Sequence, residues 1–200
     1  MEEFKRFDEI LKPDERQKFF VLWDKISEDQ RLDLKDLYEI AEKIKLHDGV
    51  PEVIRNHFTT AQNLLVYSWF FYPFNVTAEF LAFVTLEFAL KERFGLKTGS
   101  PKRKENTFKG LVEKAVKEGL VRDVGFTHMR NQSASPNNYL GYEIGISPQQ
   151  IRSYVETLIE SLPFLRNDLA HGSSTLHSDG AFSVRLCAEF INLLFSEKSG

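Results

Sequence analysis

Apolar and polar positions alternate with helical spacing along almost the whole chain. Between Leu34 and Leu46 the apolar residues Leu34, Leu37, Ile40, Ala41, Ile44 and Leu46 recur every three or four positions with charges between them, which predicts a helix with one buried face, stopped by Asp48-Gly49. Two earlier helices are predicted over residues 3–12 and 14–29. Pro13 is placed for the first turn of the second, whose apolar face is Phe19, Phe20, Leu22, Trp23 and Ile26. Pro51 can open a helix running through Val53, Ile54 and Phe58 to about Phe71. The next helix, capped by Asn75 or Thr77 and closed by Phe94-Gly95, is apolar nearly all round and is expected to be central and buried. Phe108, Leu111, Val112, Ala115 and Val116 predict an amphipathic helix over 106–119, ended by Gly119. Ser147-Pro148-Gln149-Gln150 reads as a capping box that starts a further helix, kinked or restarted by Pro163. Asp179-Gly180 opens the last, packed through Phe182, Leu186, Phe190, Leu193 and Leu194.

From Leu120 to Ile146 the period is lost among Gly, Asn, Ser and Pro, the composition of a long irregular insertion, with a short hairpin over Val121–Met129 or Tyr139–Ile146 as the local alternative. The expected fold class is all-α. The expected organisation is an N-terminal helical segment over 1–50 followed by a helical domain over 51–200.

With 200 residues and 42% hydrophobic content, the chain can bury a sizeable core as one domain. Eighteen Phe against two Met predict a core of large, stiff side chains. A net charge of -3 argues against nonspecific coating of nucleic acid but leaves room for a local basic patch. The single Cys187 excludes a disulfide framework within the chain and reads as a small buried hydrophobe. The apolar run from Leu64 to Leu90 contains Pro73, Asn75, Glu79 and Glu87, each costly in lipid, so it is expected to form two buried helices rather than a membrane span. The first residues lack the apolar stretch of a signal peptide, and a cytoplasmic location is expected.

The stretch Leu165–Gly172 is where chemistry concentrates. Arg166, Asn167 and His171 supply a cation, an amide and an imidazole within six residues; on one helix Asn167 and His171 share a face, and Arg166 starts about 100° away with the length to swing round. Such a patch suits a phosphate. Glu79 and Glu87 on the buried helix need partners, and an ion pair from either to Arg166 would orient the guanidinium. A plainer reading is available for each group: an ion pair for Arg166, a cap for Asn167, a carbonyl contact for His171. Lys102, Arg103 and Lys104 lie in a basic connection that can touch RNA phosphates or simply be solvated. His171, His177 and Asp179 match no established metal-site spacing, so no metal or cofactor is expected. There is no phosphate-binding Gly-rich loop ending in Lys-Ser/Thr and no nucleophile elbow. Trp69, Phe70, Phe71 and Tyr72 could serve a protein partner, although such residues are more often core.

A long apolar helix ending in Leu90-Lys91-Glu92-Arg93-Phe94-Gly95, a variable connection, and a helix ending in Arg166-Asn167-Asp168-Leu169-Ala170-His171-Gly172 before a final apolar helix together resemble a HEPN domain. That family's signature is Arg, four to six residues, then His, with a polar residue directly after the Arg. The spacing here is four, the polar residue is Asn167, and the resemblance covers roughly residues 51–196. It implies a helical bundle that forms a homodimer around the motif and cuts RNA without metal, in a toxin–antitoxin or defence setting and with an antitoxin or other protein as partner. It implies that His171 moves protons at the ribose 2′-hydroxyl or the leaving 5′-oxygen, that Arg166 holds the scissile phosphate, and that Asn167 orients the phosphate or His171. The family also includes noncatalytic scaffolds and nucleotide binders, which define the alternative: an RNA- or nucleotide-binding or protein-interaction module.

Overall fold

The computed structural model describes residues 4–19, 32–96, 103–127, 153–172 and 180–196. Among these residues the secondary structure is helical, with six α-helices and no strand, as the periodicity predicts. The helices are α1 (Leu34–Lys43), α2 (Glu52–Tyr67), α3 (Pro73–Arg93), α4 (Phe108–Lys117), α5 (Tyr154–Ala170) and α6 (Gly180–Phe195). Short 3-10 turns lie at Phe7–Glu9, Glu15–Phe19, Lys104–Asn106 and Asp123–Gly125.

Helix α3 is the centre of the bundle, packed against α2, α4, α5 and α6. Its apolar residues leave no solvent face of ordinary width, so neighbours must cover it. Ala78, Ala82, Phe83, Leu86, Ala89 and Leu90 are fully buried there, and the alanines let the surrounding helices come close. Among the described helices α3 is the one long and apolar enough to cross a membrane by composition, and it serves here as the core helix. It closes at Gly95, whose φ of 64° lets Leu96 N–H reach the Lys91 carbonyl at 2.8 Å and Gly95 N–H reach Glu92 at 3.1 Å. Helix α6 begins hard against the first turn of α3: a Cβ on Gly180 would lie 2.5 Å from Asn75 Oδ1. The core cluster also takes Leu37, Ala41, Ile44 and Val50, so α1 shares it with the rest of the bundle.

Several predicted boundaries differ from those observed. No α-helix forms over residues 4–12, which contain only the 3-10 turn at Phe7–Glu9. Phe4, Phe7 and Leu11 are exposed, and so short a segment does not hold a helix without a buried face. Of the helix predicted over 14–29, the described part forms the 3-10 turn Glu15–Phe19, and residues 20–31 lie outside the described residues. Helix α1 stops at Lys43 instead of 46 because side chains from elsewhere take its backbone groups. Gln62 Nε2 donates to the Ala41 and Ile44 carbonyls at 3.1 and 2.6 Å, and Asn192 donates to Lys45 O while accepting from His47 N–H. Helix α2 ends at Tyr67, not Phe71, and neither Asn75 nor Thr77 caps α3. Pro73 occupies its first turn, where the missing N–H costs nothing, Asn75 is buried, and Thr77 bonds back to the Pro73 carbonyl.

Residues 121–127 make no hairpin strand but carry the turn Asp123–Gly125, while Tyr139–Ile146 and the Ser147 capping box lie outside the described residues. Helix α5 takes its N-terminal cap from a distance. The Asp123 carboxylate accepts from Val155 N–H at 2.9 Å, Tyr154 N–H at 3.3 Å and Ser153 Oγ at 2.9 Å, satisfying the amides that a local capping residue would serve. Of the kink or restart predicted at Pro163, the restart does not occur: the helix runs on through it. One backbone bond is lost, and Leu158 and Leu162, buried beside it, keep both halves on the core.

The N-terminal arm is pinned to the α2–α3 turn by Asp14. Its carboxylate accepts from Tyr72 N–H at 2.9 Å and from Arg16 Nη2 at 2.8 Å, its own N–H donates to Trp69 O, and Gln17 Nε2 donates to Ser68 O. Arg16 lies 4.9 Å above the Tyr72 ring. Burial pulls the Asp14 carboxyl up, but the Arg16 hydrogen bonds and charge and the Tyr72 and Arg16 amides outweigh it and hold the pKa at about 2, below the ordinary 3.8. A depressed folded pKa stabilises above the unfolded value and is lost as pH falls through the folded one. About 2 kcal/mol of stability is therefore expected to disappear between pH 4 and 2. Urea titrations across that range should show the loss in wild type and its absence in Asp14→Asn, which lacks it at every pH.

Candidate functional site

Helix α5 buries Val155, Leu158 and Leu162 and half-buries Leu165 and Leu169, so its sequence fixes which way the next polar residues point. Arg166 falls on the flank facing α3, whereas Asn167, Asp168 and His171 fall on the exposed side. His171 is the C-terminal cap, its N–H bonded to Asn167 O at 3.0 Å. Gly172, at a φ of 84° that a side chain would resist, bonds to Leu169 O and ends the helix there. The imidazole is thus presented at the end of a helix on the solvent side, and no side-chain partner for it lies among the described residues.

Arg166 swings toward α3. Its Nη2 donates to Glu87 Oε2 at 2.7 Å, and its Nη1 donates to Asn167 Oδ1 at 3.2 Å. The other Glu87 oxygen accepts from Lys91 Nζ at 2.6 Å. One carboxylate therefore holds two cations and leaves a patch with one net positive charge. Glu87 is 14% exposed, Arg166 31% and Lys91 43%, so the carboxylate forms the floor and the cations face outward. Arg166 Nε is buried without a hydrogen-bond partner among the described residues.

Of the two carboxylates singled out from the sequence, Glu87 is the partner of Arg166. Glu79 is engaged elsewhere: Ser183 Oγ on α6 donates to its Oε1 at 2.6 Å. Cys187, one turn beyond Ser183, is fully buried, and burial together with the Glu79 charge pushes its thiol well above the usual range, consistent with a packing role. Lys91 was not anticipated from the sequence as part of the patch. Its signal was the spacing Glu87–Lys91, the i,i+4 pairing of opposite charges on one helix.

The basic connection stands apart. Arg103 is exposed and 3.7 Å from Glu105, Lys104 is exposed in its 3-10 turn, and Lys102 lies outside the described residues. No hydrogen bond or ion pair joins Arg103 or Lys104 to Arg166 or His171 among the described residues. His57 is likewise separate. The Thr85 hydroxyl donates to Leu81 O, so His57 Nδ1 donates to Thr85 Oγ1 at 3.0 Å and fixes that tautomer. No cluster of potential metal ligands occurs among the described residues, and His177 and Asp179 lie outside them.

The patch thus joins a planar guanidinium, bonded through Nη2 to a carboxylate, to an amide beside it and an ammonium across the same carboxylate; the His171 imidazole lies one helical turn beyond Asn167 on the exposed side. These are donors and a base suited to a phosphodiester oxygen and its neighbouring hydroxyl. The chain matches no protein-family model, and no characterised protein or solved structure is significantly similar to it.

Removing the carboxylate leaves two cations facing one another. Glu87→Ala is expected to cost about 1–3 kcal/mol in urea unfolding, whereas Lys91→Ala, which removes a half-exposed partner, is expected to cost about 1 kcal/mol or less. Equal losses for the two variants would contradict the assignment of Glu87 as the common anchor.

Proposed function

We propose that the chain is a HEPN-like, metal-independent endoribonuclease whose site is Arg166, Asn167 and His171. The observation that carries the reading is the guanidinium held by Glu87 against Asn167, with His171 exposed one turn further along α5. Arg166 grips a non-bridging oxygen of the scissile phosphate and, being permanently charged and planar, gains contact as negative charge accumulates there. Asn167, adjacent to the guanidinium, orients that phosphate. His171 takes the proton from the ribose 2′-hydroxyl; the 2′-oxygen forms a bond to phosphorus, and the bond to the 5′-oxygen breaks as that oxygen receives a proton. The products are a 2′,3′-cyclic phosphate and a free 5′-hydroxyl.

Arg166 and His171 leave α5 on different sides, which favours a homodimer in which the second copy's His171 supplies the other proton transfer. Lys91 adds a second cation for the substrate backbone. Arg103 and Lys104, with Lys102, would extend backbone contact along the RNA. A cytoplasmic setting in toxin–antitoxin or defence biology, with an antitoxin or other protein as regulator, accords with this reading. The competing reading is a noncatalytic HEPN-like module that binds RNA, a nucleotide or a protein, and the observation favouring it is that Glu87 already engages Arg166.

Incubation of end-labelled RNA of mixed sequence with the chain in EDTA tests the proposal. Wild type is expected to cut and leave cyclic-phosphate ends, and His171→Ala to lose about 100-fold or more while remaining folded. Equal cutting by the two would remove His171 from the chemistry, and no cutting by either at high concentration would move the assignment to the noncatalytic module.

A further inference from the structure

Of the large apolar side chains on α5, Phe164 alone is exposed, at 69%. Its neighbours one and two turns along the same face are Asn167, Asp168 and His171, the i+3, i+4 and i+7 positions. The Cβ atoms of Phe164 and Asn167 are therefore about 5–6 Å apart. The Asn167 amide oxygen in turn lies 3.2 Å from the Arg166 guanidinium. A phosphate held by Arg166 and Asn167 would have the base of its own nucleotide within reach of this largely exposed aromatic side chain. From this geometry, and resting on the ribonuclease reading above, we infer that Phe164 is the stacking platform for a nucleobase flanking the bound phosphate.

Two consequences follow from the chemistry of stacking. A flat ring offers no hydrogen-bond pattern, so the contact tolerates any base. It also requires that base to be unstacked from its neighbours, which selects single-stranded segments over duplex. Phe164 would thus be a specificity-determining residue and not a catalytic one. The acidic Asp168 beside it keeps the backbone itself on the Arg166 side of the helix.

The test uses a short single-stranded oligonucleotide, fully 2′-O-methylated so that it cannot be cut and carrying 2-aminopurine as fluorescent base. Wild type is expected to bind it with a change in 2-aminopurine fluorescence. Phe164→Ala and Phe164→Leu are expected to bind about tenfold more weakly without that change, and Phe164→Tyr within about twofold of wild type. Phe164 is exposed, so circular dichroism and the unfolding midpoint should be unaltered in all three. Full affinity in Phe164→Leu would mean an apolar contact without stacking. Unaltered binding in Phe164→Ala, or a shift in oligomeric state by sedimentation with the fluorescence change intact, would assign the ring elsewhere or to the interface between copies; each overturns the inference. Arg166→Ala separates the two levels. Wild-type binding that Arg166→Ala abolishes, together with an inert Phe164→Ala, overturns the stacking and leaves the site standing, whereas no binding by wild type overturns both.

Discussion

A carboxylate on a buried helix must find cations or hydrogen-bond donors or be protonated, and Glu87 on α3 answers that constraint with two cations. It decides where Arg166 goes. Without it, a long flexible side chain on the flank of α5 would sample solvent, with about 2 kcal/mol of rotamer freedom to lose on forming any fixed contact. With it, Nη2 of the guanidinium is held and Nη1 reaches Asn167, while Nε is buried. The ion pair that ties α5 to α3 also orients the one group on α5 that carries permanent positive charge. Its stabilising worth is moderate because the pair is partly exposed; its geometric worth is larger.

That arrangement is possible because α3 is surrounded. Its alanines and phenylalanines bring α2, α4, α5 and α6 onto one helix, so polar positions on α3 are read by whichever neighbour covers them. Glu79 meets α6 and is bonded by Ser183; Glu87, two turns later, meets α5 and is bonded by Arg166. Two residues of one type on one helix thus acquire different roles from the helix placed opposite them. The distant cap of α5 by Asp123 belongs to the same logic, since it sets where that helix begins and so contributes to the position at which its C-terminal turn presents His171.

The helical class, the burial of α3 and the candidate link from a carboxylate to Arg166 were all legible in the chain, because each rests on periodicity or on the cost of burying charge. What was not legible depended on partners far away in sequence. Nothing near Ile44 announces that Gln62 and Asn192 will take over its backbone bonds, and nothing near Ser153 points to Asp123. The choice between Glu79 and Glu87 likewise turned on which helices pack together, a matter that periodicity leaves open. Asn75 and Thr77 looked like caps because their residue types cap helices, yet Pro73 a few residues earlier already set the start. The exposure of Phe164 follows from the buried stripe of α5 set by Leu158 and Leu162.

The account stands on a phosphate being attacked by its own ribose hydroxyl at the Arg166–His171 site. The measurement that bears most directly on this is cleavage, in EDTA, of an RNA in which the nucleotide 5′ to a mapped cut carries a single 2′-deoxy substitution. Loss of the cut at that one position, with other cuts and their cyclic-phosphate ends unchanged, is the expected result. A cut that persists at the substituted nucleotide would contradict the mechanism, because the nucleophile would then have to come from outside the RNA.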